Sequence, residues 1–309
     1  MTSSTRVWRP EWPCSLGPMW PHKRGGGDPT YRVDGHGRHW RGIRTPEGPA
    51  TLALHLQPRD GEVRAEAWGP GAGWALASVP DLLGASDDWS GFDPRHPVLV
   101  EARRRHPHAR LGRTGLVMEA LVPAILEQKV TGQEAFAGYR MLVRRYGEPA
   151  PGPGPERDLW VQPTPEAIRQ VPSWEWLRMH VDHARSRAIV TVARVADAME
   201  RLAGLPGDEV ERRLGTIPGI GRWTAAEVRQ RALGDPDAVS FGDYHVAKDV
   251  GWALTGTPFD DAAMEAYLEP WRPHRQRVVT LLYLAGHRRP RHGARMAPRT
   301  HLPARVTRR

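Results

Sequence analysis

A glycine-rich turn joins two helical segments: Leu214-Gly-Thr-Ile217-Pro218-Gly219-Ile220-Gly221-Arg222-Trp223-Thr224-Ala225-Ala226. Gly219 and Gly221 allow backbone dihedrals that other residues avoid, and they leave the peptide N–H groups uncovered. Uncovered N–H groups at the start of a helix, assisted by the helix dipole, bind a phosphate oxygen. We expect Ile217 to pack between the two helices, and Arg222 and Thr224 to lie beside the phosphate. The stretch therefore predicts a phosphate-binding hairpin.

A plain helix–turn–helix packing element is the alternative interpretation of this turn. A bare Gly-x-Gly would favour that alternative. The isoleucine and proline before the glycines, and Thr224-Ala225 after them, favour binding to a nucleic-acid backbone. Such a site positions the backbone and carries no base-sequence information.

Outward from the hairpin the apolar residues follow a helical period, and only the N-terminal part alternates with a period of two. The predicted strands are 38–44, 51–56 and 63–67, and the alternation in 51–56 is typical of a half-buried strand. Thr131-Gly-Gln-Glu134 predicts a capping box at the start of a helix that Gly147 ends. Further helices are predicted over 164–171, 182–203, 208–214, 221–233, 243–255, 260–270 and 274–286.

These periods predict an α+β protein in three parts. Residues 1–95 form a small β-rich domain with one or two short helices, and residues 96–287 form an essentially all-helical domain. Residues 288–309 form a basic tail without predicted order, since proline, glycine and arginine dominate it. Residues 287–309 hold eight arginines and no acid, so the net charge of +9 lies almost entirely there. Salt-dependent binding to DNA phosphates and a merely solvated extension both fit such a tail.

The composition excludes several classes of protein. No run approaches the eighteen apolar residues of a membrane span, and the first ten residues lack the apolar core of a secretory signal. Cys14 is the single cysteine, which excludes an internal disulfide and a cysteine-ligated metal or iron–sulfur site. The histidine pairs His36/His39 and His180/His183 lack further ligands, so we expect no metal and no cofactor. We expect a cytoplasmic protein that does not bind membranes.

A carboxylate residue, Asp243, follows the hairpin in the sequence. Val239-Ser-Phe-Gly242-Asp243-Tyr244-His245 places Asp243 where a glycine-containing loop enters a helix, 22 residues beyond Gly221. The plain interpretation is a helix cap, because Asp is favoured at that position. Its place after this hairpin favours a functional carboxylate instead.

The chain resembles the helix-hairpin-helix DNA glycosylase superfamily, and within it the bacterial 3-methyladenine DNA glycosylase II branch. The resemblance covers roughly residues 115–285 and rests on five segments in the family's order. These are Ala124–Thr131, Pro163–Ile168, the hairpin Ile217–Ala225, the aspartate loop Gly242–Tyr244 and the closing Trp271-Arg-Pro-His-Arg275. The branch also has a small β-rich N-terminal module. The resemblance implies that the hairpin and Arg275 contact DNA.

The resemblance further implies that Asp243 faces the sugar of a flipped-out nucleotide. There it would stabilise the positive charge that develops as the N-glycosidic bond breaks, or deprotonate the attacking water; sequence alone does not separate the two roles. Trp223 stands where bifunctional members carry the lysine that attacks the sugar, which implies a monofunctional enzyme without lyase activity. Trp223, Tyr244 and Tyr283 match positions that line the base pocket, although Tyr283 lies in an apolar helix where a core role is equally consistent.

Two positions depart from the branch. Glu227 stands where relatives have an aromatic residue, and either contacts a cationic base or water, or pairs on the surface with Arg231 at i+4. Lys129 replaces an apolar wedge and could reach a phosphate or the orphaned base. Gln128 is the better candidate for contacting the opposite strand.

The expected function is hydrolysis of alkylated purines, of the 3-methyladenine or 7-methylguanine type, from double-stranded DNA in base excision repair. A nucleoid-associated bacterial monomer would leave an abasic site for a downstream endonuclease. The alternatives are a non-catalytic damage-binding protein with the same fold and a glycosylase for a deaminated or bulky lesion.

Overall fold

A computed structural model describes residues 3–290, and the predicted tail beyond residue 290 lies outside the described part. The N-terminal region contains a five-stranded antiparallel sheet of order β1-β5-β4-β3-β2. The strands are β1 Ser4–Trp8, β2 Tyr31–Val33, β3 His39–Thr45, β4 Gly48–Gln57 and β5 Glu62–Trp68. The three predicted strands are confirmed as β3, β4 and β5, and β4 pairs with both of the others.

The prediction of a half-buried strand over 51–56 is wrong at its centre. Leu52 and Leu54 face a core closed by the two short helices that follow the sheet, while Thr51 and Ala53 on the opposite face are also buried. Ala53 packs with Leu159 and Val161 from the helical body, where a two-stranded ribbon, β6 Glu148–Pro149 and β7 Trp160–Val161, covers the second face of the sheet. The ribbon also interrupts the predicted all-helical part.

The rest of the described chain is helical. The helices are α1 Ala72–Ala77, α2 Val79–Leu82, α3 Pro97–Arg105, α4 Val117–Leu126, α5 Gly132–Tyr146, α6 Pro165–Arg169, α7 Ser173–Arg178, α8 His183–Arg194, α9 Ala196–Glu200, α10 Gly207–Leu214, α11 Arg222–Val228, α12 Val246–Thr255, α13 Asp261–Leu268 and α14 Arg275–Leu284. Short 3-10 turns include Gly17–His22, and Arg229–Leu233 continues α11 as a π-helical turn. The α+β class is confirmed, and so is the capping box at Thr131, which starts α5.

The predicted helix over 182–203 is interrupted. Val195 leaves the helical dihedrals, so α8 ends at Arg194 and α9 begins at Ala196. No helix in residues 3–290 is long and apolar enough to cross a membrane.

The helical body contains two separate cores. One, the hairpin lobe, is built from residues between 117 and 232 and includes Leu121, Ile189 and Ala225. The other, the aspartate lobe, joins residues 99–109 to residues 239–282 and includes Leu99 and Val278. The hairpin and the aspartate loop therefore belong to different cores.

Candidate active site and DNA interface

The hairpin connects α10 to α11 as a tight turn. Gly219 adopts φ +90°, in the left-handed region where a side chain is strained. The Ile220 N–H donates to the Ile217 carbonyl over 3.0 Å. Ile220 is buried in the core of the hairpin lobe and Ile217 packs against its edge, so Ile217 anchors the turn from inside.

At Gly219 and Gly221 the hairpin exposes bare backbone. Gly221 is the N-cap of α11, is exposed, and has no side chain to cap the helix. The N–H groups of the first turn of α11 consequently lie open beside Gly221, which is the arrangement that binds a phosphate oxygen.

Gln128 and Thr224 brace the hairpin from behind. The Gln128 amide nitrogen donates to the Gly219 carbonyl over 2.9 Å and to the Thr224 hydroxyl over 2.8 Å. Thr224 is buried, so its side chain does not reach the surface where DNA contact was predicted. Gln128 was predicted to contact the opposite DNA strand, and the structure shows in addition that it holds the hairpin through Gly219 and Thr224.

The two predicted DNA-binding arginines are engaged within the protein. Arg222 forms a bidentate ion pair with Glu265, at 2.9 and 2.5 Å, and stays partly exposed beside the hairpin. Arg275 is buried, and its guanidinium donates to both carboxylate oxygens of Asp237 over 2.8 and 2.6 Å. The geometry of Arg275 is that of a structural ion pair, contrary to the predicted DNA contact.

Lys129 lies on an exposed turn between α4 and α5. Its backbone has φ +55°, an unusual conformation for a residue with a side chain, and its side chain is exposed. The turn directly follows Gln128, so the predicted wedge position lies next to the residue that braces the hairpin.

Asp243 begins the segment that leads into α12. One carboxylate oxygen, Oδ1, accepts hydrogen bonds from the N–H groups of His245, over 2.7 Å, and Val246, over 3.1 Å. Oδ1 of Asp243 therefore caps the start of α12, as the plain interpretation of this residue expected. Within residues 3–290 no group donates to the second oxygen, Oδ2, and Asp243 lines a cleft of about 620 Å³. The carboxylate is thus oriented by one oxygen while the other remains available.

The Asp243 cleft lies where the N-terminal segment meets both helical lobes. Its walls come from four separate parts of the chain. The first part contributes Trp20 and Pro21, and the second contributes His108 and Arg110. The third contributes Glu227, Gln230, Ser240 and Asp249, and the fourth contributes Gln276, Val279, Thr280, Tyr283, Leu284 and Arg288. A second cavity, of about 380 Å³ between the sheet and α4, contains none of the predicted site residues.

Only one of the three predicted pocket aromatics lines the cleft. Tyr283 does so while also packing on the core of the aspartate lobe, which reconciles its two interpretations. Tyr244 is 74% exposed outside the cleft, with the Lys248 Nζ 3.7 Å from its ring centre. Trp223 is half-buried near Gly242 and is not among the cleft walls. Trp20, from the 3-10 turn before the sheet, supplies an unpredicted aromatic wall and is 51% exposed.

Tyr283 is held by a carboxylate and covered by a cation. Its hydroxyl donates to Asp249 Oδ2 over 3.4 Å, and the second oxygen of Asp249 accepts the Arg289 N–H over 3.2 Å. Burial, followed by the negative charges of Asp249 and Asp243, raises the pKa of the Tyr283 hydroxyl, which keeps it protonated. The Arg288 guanidinium lies 4.6 Å from the centre of the Tyr283 ring. The ring thus already binds a cation at the cleft.

Glu227 is buried in the cleft wall and pairs with Arg231 over 2.6 Å. Its other oxygen accepts the Ser240 hydroxyl over 2.6 Å. The predicted i+4 partner is confirmed, whereas the predicted surface location of the pair is wrong, because α11 is buried from Thr224 to Val228 and both side chains are largely enclosed.

One wall of the Asp243 cleft follows a helical spacing in the sequence that was not used in the prediction. Gln276, Val279, Thr280, Tyr283 and Leu284 follow the i, i+3, i+4, i+7, i+8 spacing of one helix face, and that face of α14 lines the cleft. Trp20 carried no comparable signal, since it lies in a proline-rich segment without periodicity.

No protein-family model matches the chain. Over 199 residues, or 62% of its length, the chain is 33% identical to a protein of Mycobacterium tuberculosis described as a probable bifunctional transcriptional activator/DNA repair enzyme AlkA, and it spans 38% of that relative's length. Among solved structures, a 3-methyladenine DNA-glycosylase from Archaeoglobus fulgidus superposes with a TM-score of 0.76 at 19% identity, covering 91% of this chain and 98% of that one.

The apo-form of Clostridium acetobutylicum 8-oxoguanine glycosylase/lyase superposes with a TM-score of 0.69 at 12% identity, covering 91% of this chain and 95% of that one. The same enzyme bound to double-stranded DNA with cytosine opposite 8-oxoguanine gives a TM-score of 0.67 at 12% identity, over 93% of this chain and 98% of that one. The likeness to these structures concerns the fold: a sheet followed by a mostly helical body.

Proposed function

We propose that this chain belongs to the helix-hairpin-helix DNA glycosylase superfamily and is a monofunctional DNA glycosylase that hydrolyses the N-glycosidic bond of alkylated purines; its likeness to the AlkA relative and to the solved glycosylase folds supports this proposal. The observation that carries the proposal is the half-capped carboxylate of Asp243. It faces a cleft with an aromatic wall, and that cleft is also lined by α11, the helix that begins at the hairpin.

The chemistry follows from the two oxygens of Asp243. The N–H groups of His245 and Val246 fix Oδ1, so the carboxylate needs no reorientation during the reaction. Oδ2 can then stabilise the positive charge that develops on the deoxyribose as the base departs. The same oxygen can accept a proton from the attacking water.

The cleft is suited to a base with a formal positive charge. The Tyr283 ring holds the Arg288 guanidinium, and Asp249 and Asp243 add two carboxylates beside it. A cationic purine that displaces Arg288 from this ring would gain roughly 0.5–2 kcal/mol over a neutral one. Alkylation also makes the base a better leaving group, so binding and chemistry favour the same substrate.

The absence of lyase activity is proposed from the nucleophiles available. Strand cleavage by this fold uses a lysine amine, and Trp223 stands at the matching position. Within residues 3–290 no lysine lines the Asp243 cleft. The product would be an intact strand with an abasic site, which we expect an abasic-site endonuclease to process.

The proposed partner is double-stranded DNA. The open N–H groups at Gly221 would bind a backbone phosphate, and Lys129 on its exposed turn would approach the strand beside the lesion. Extrusion of the damaged nucleotide into the cleft costs a few kcal/mol, and least for damaged or mispaired bases.

A glycosylase for a neutral lesion is a second candidate, favoured by one observation. Gln276 Oε1 is buried at the cleft wall without a hydrogen-bond partner within residues 3–290. An unpartnered buried acceptor costs free energy unless a ligand N–H satisfies it. A neutral base that donates such an N–H would use this group, whereas ring stacking would dominate for a cationic base.

The test is base release from duplex DNA treated with a methylating agent, with chromatography of the freed bases and electrophoresis of the strand. We expect free methylpurines and an intact strand that alkali cleaves at abasic sites. Strand nicks without alkali would contradict the monofunctional mechanism. Release from deaminated but not from methylated DNA would support the second candidate. No release with DNA binding intact would favour a non-catalytic damage-binding protein.

A further inference from the structure

A cluster of positive charge follows the end of α3, and the proposed chemistry at Asp243 does not use it. We define the basic strip as Arg103, Arg104, Arg105, His106, His108 and Arg110. Four arginines and two histidines fall within eight residues, and Glu101 is the one acid among residues 101–113.

The acids nearby do not neutralise the strip. Arg104 and Arg105 are 73% and 50% exposed, and they share Glu101 at 2.8 and 2.9 Å. The Arg110 guanidinium has no acid partner within residues 3–290 and instead lies 5.1 Å from the Trp12 ring centre. Basic residues at a helix C-terminus stabilise the helix dipole, but His106, His108 and Arg110 lie beyond the end of α3.

The behaviour of His106 agrees with this excess of positive charge. Burial, and then the neighbouring charges of His108 and Arg105, lower the pKa of His106. The two imidazole rings lie edge-to-face with centres 5.6 Å apart.

The strip reaches the Asp243 cleft at the end opposite the hairpin. His108 and Arg110 line the cleft. Just after the strip, the N–H groups of Thr114 and Gly115 donate to the carbonyls of Arg231 and Ala232, over 3.0 and 2.9 Å, at the far end of the helix that begins at the hairpin.

α11 and its π-helical continuation connect the hairpin to the carbonyls that Thr114 and Gly115 contact, so their length approximates the span along this wall of the cleft. Nine residues separate Arg222 from Arg231, or roughly 14 Å at 1.5 Å per residue. Glu227 lies between them and lines the cleft. Roughly four phosphates of one DNA strand span that distance at 3.4 Å each.

We propose that the basic strip is a second DNA-backbone site, which binds phosphates on the side of the cleft away from the hairpin. The two sites would hold the backbone on either side of the extruded nucleotide. The identity of the partner as DNA rests on the proposed function, while the position and charge of the strip do not.

The test compares the salt dependence of binding to undamaged duplex DNA for the full chain and two double variants. Arg104→Gln/Arg105→Gln removes the exposed charges of the strip. Arg9→Gln/Arg64→Gln is the matched control, because these two arginines also share one acid, Glu62, and are 75% and 56% exposed on the sheet. Thermal melting establishes that both variants are folded at the temperature of the assay.

If Arg104 and Arg105 each contact one phosphate, the slope of log affinity against log salt is smaller in magnitude by about 1.8 in the Arg104→Gln/Arg105→Gln variant than in the wild type. Between 50 and 200 mM salt the wild type would then lose about 12-fold more affinity than the strip variant. We expect the control to keep the wild-type slope and Arg110→Gln to lower it by about 0.9.

A strip variant whose slope changes no more than that of the control would overturn the proposal. Because the DNA is undamaged and no base is released, this outcome is independent of catalysis. A lowered slope in a protein that releases no base from any lesion would support the strip and refute the glycosylase proposal. An unchanged slope in a protein that does release damaged bases would refute the strip and support the glycosylase proposal.

Discussion

The hairpin and the Asp243 cleft use the chain differently. The hairpin is one contiguous segment that exposes bare backbone at Gly219 and Gly221, and Gln128 braces it from behind. The cleft is assembled from segments near residues 20, 108, 227–243 and 276–288, and its proposed chemistry depends on side chains. Substitutions in the hairpin should therefore act on stability and DNA affinity. In the cleft, substitutions of Asp243 and Tyr283 should act on the rate of base release, and loss of the buried Glu227–Arg231 pair should act on stability.

The buried pair in the cleft wall is expected to give the largest effect, and it is one on stability. Glu227→Ala leaves the Arg231 guanidinium enclosed without its carboxylate, which should lower the free energy of unfolding by about 3–5 kcal/mol. Glu209→Ala, which removes the carboxylate shared by the exposed Arg212 and Arg213, is the control and should cost far less, because surface ion pairs contribute little to stability. Denaturant unfolding measures both. Equal losses would show that the cleft wall tolerates an unpaired charge.

The catalytic carboxylate should affect rate and leave binding intact. Asp243→Asn keeps an oxygen to accept the His245 and Val246 N–H groups, so the start of α12 should hold. Loss of the negative charge should slow base release about 10²–10³-fold in a single-turnover assay. Affinity for undamaged duplex should stay within about twofold. Wild-type release by the variant would remove Asp243 from the mechanism.

The two tyrosines test whether the cleft, and not the aspartate loop itself, binds the base. Tyr283→Leu removes the ring at the cleft wall and should lower kcat/KM for methylpurines about 2–30-fold, the equivalent of 0.5–2 kcal/mol. Tyr244→Leu changes a ring outside the cleft and should have little effect. A larger loss for Tyr244→Leu would mean that its ring moves into the cleft when DNA binds.

The two hairpin glycines should differ in stability, although both are exposed. Gly219→Ala forces a side chain into φ +90° and places its Cβ 3.2 Å from that of Ala188, so we expect a loss of about 1–2 kcal/mol. Gly221→Ala has extended backbone and open space around the new Cβ, so its stability should change by less than about 0.5 kcal/mol. Similar losses in thermal unfolding would show that the turn is not held as described.

Features that depend on local sequence were predictable, and features that depend on contacts between distant segments were not. The helices on either side of the hairpin, the capping box at Thr131 and the strands β3–β5 depend on local periodicity and caps, and all were predictable. Burial of the second face of β4 depends on a ribbon about 100 residues away, which no local pattern encodes. Likewise, the contacts of Thr224 with Gln128 and of Arg275 with Asp237 join distant segments, so both side chains seemed available for DNA.

The cleft was predictable only in part for the same reason. Asp243 and Tyr283 lie in segments with recognisable spacing, whereas Trp20 comes from an irregular segment near the N-terminus. Tyr244 follows Asp243 directly, yet the turn into α12 directs its side chain outside the cleft. Adjacency in sequence is therefore a poor guide to which aromatic residue lines the cleft.

The most direct test of the central claim measures binding to two stable mimics of the reaction. One duplex carries a pyrrolidine in place of the damaged nucleotide, which is cationic at the sugar position, and the other carries an uncharged tetrahydrofuran. If Asp243 stabilises positive charge on the sugar, the wild type should bind the cationic mimic at least about 100-fold more tightly, as transition-state analogues are bound. Asp243→Asn should lose that preference while binding the neutral mimic as the wild type does. Equal affinity of the wild type for both duplexes, or an undiminished preference in Asp243→Asn, would show that Asp243 does not stabilise positive charge on the sugar.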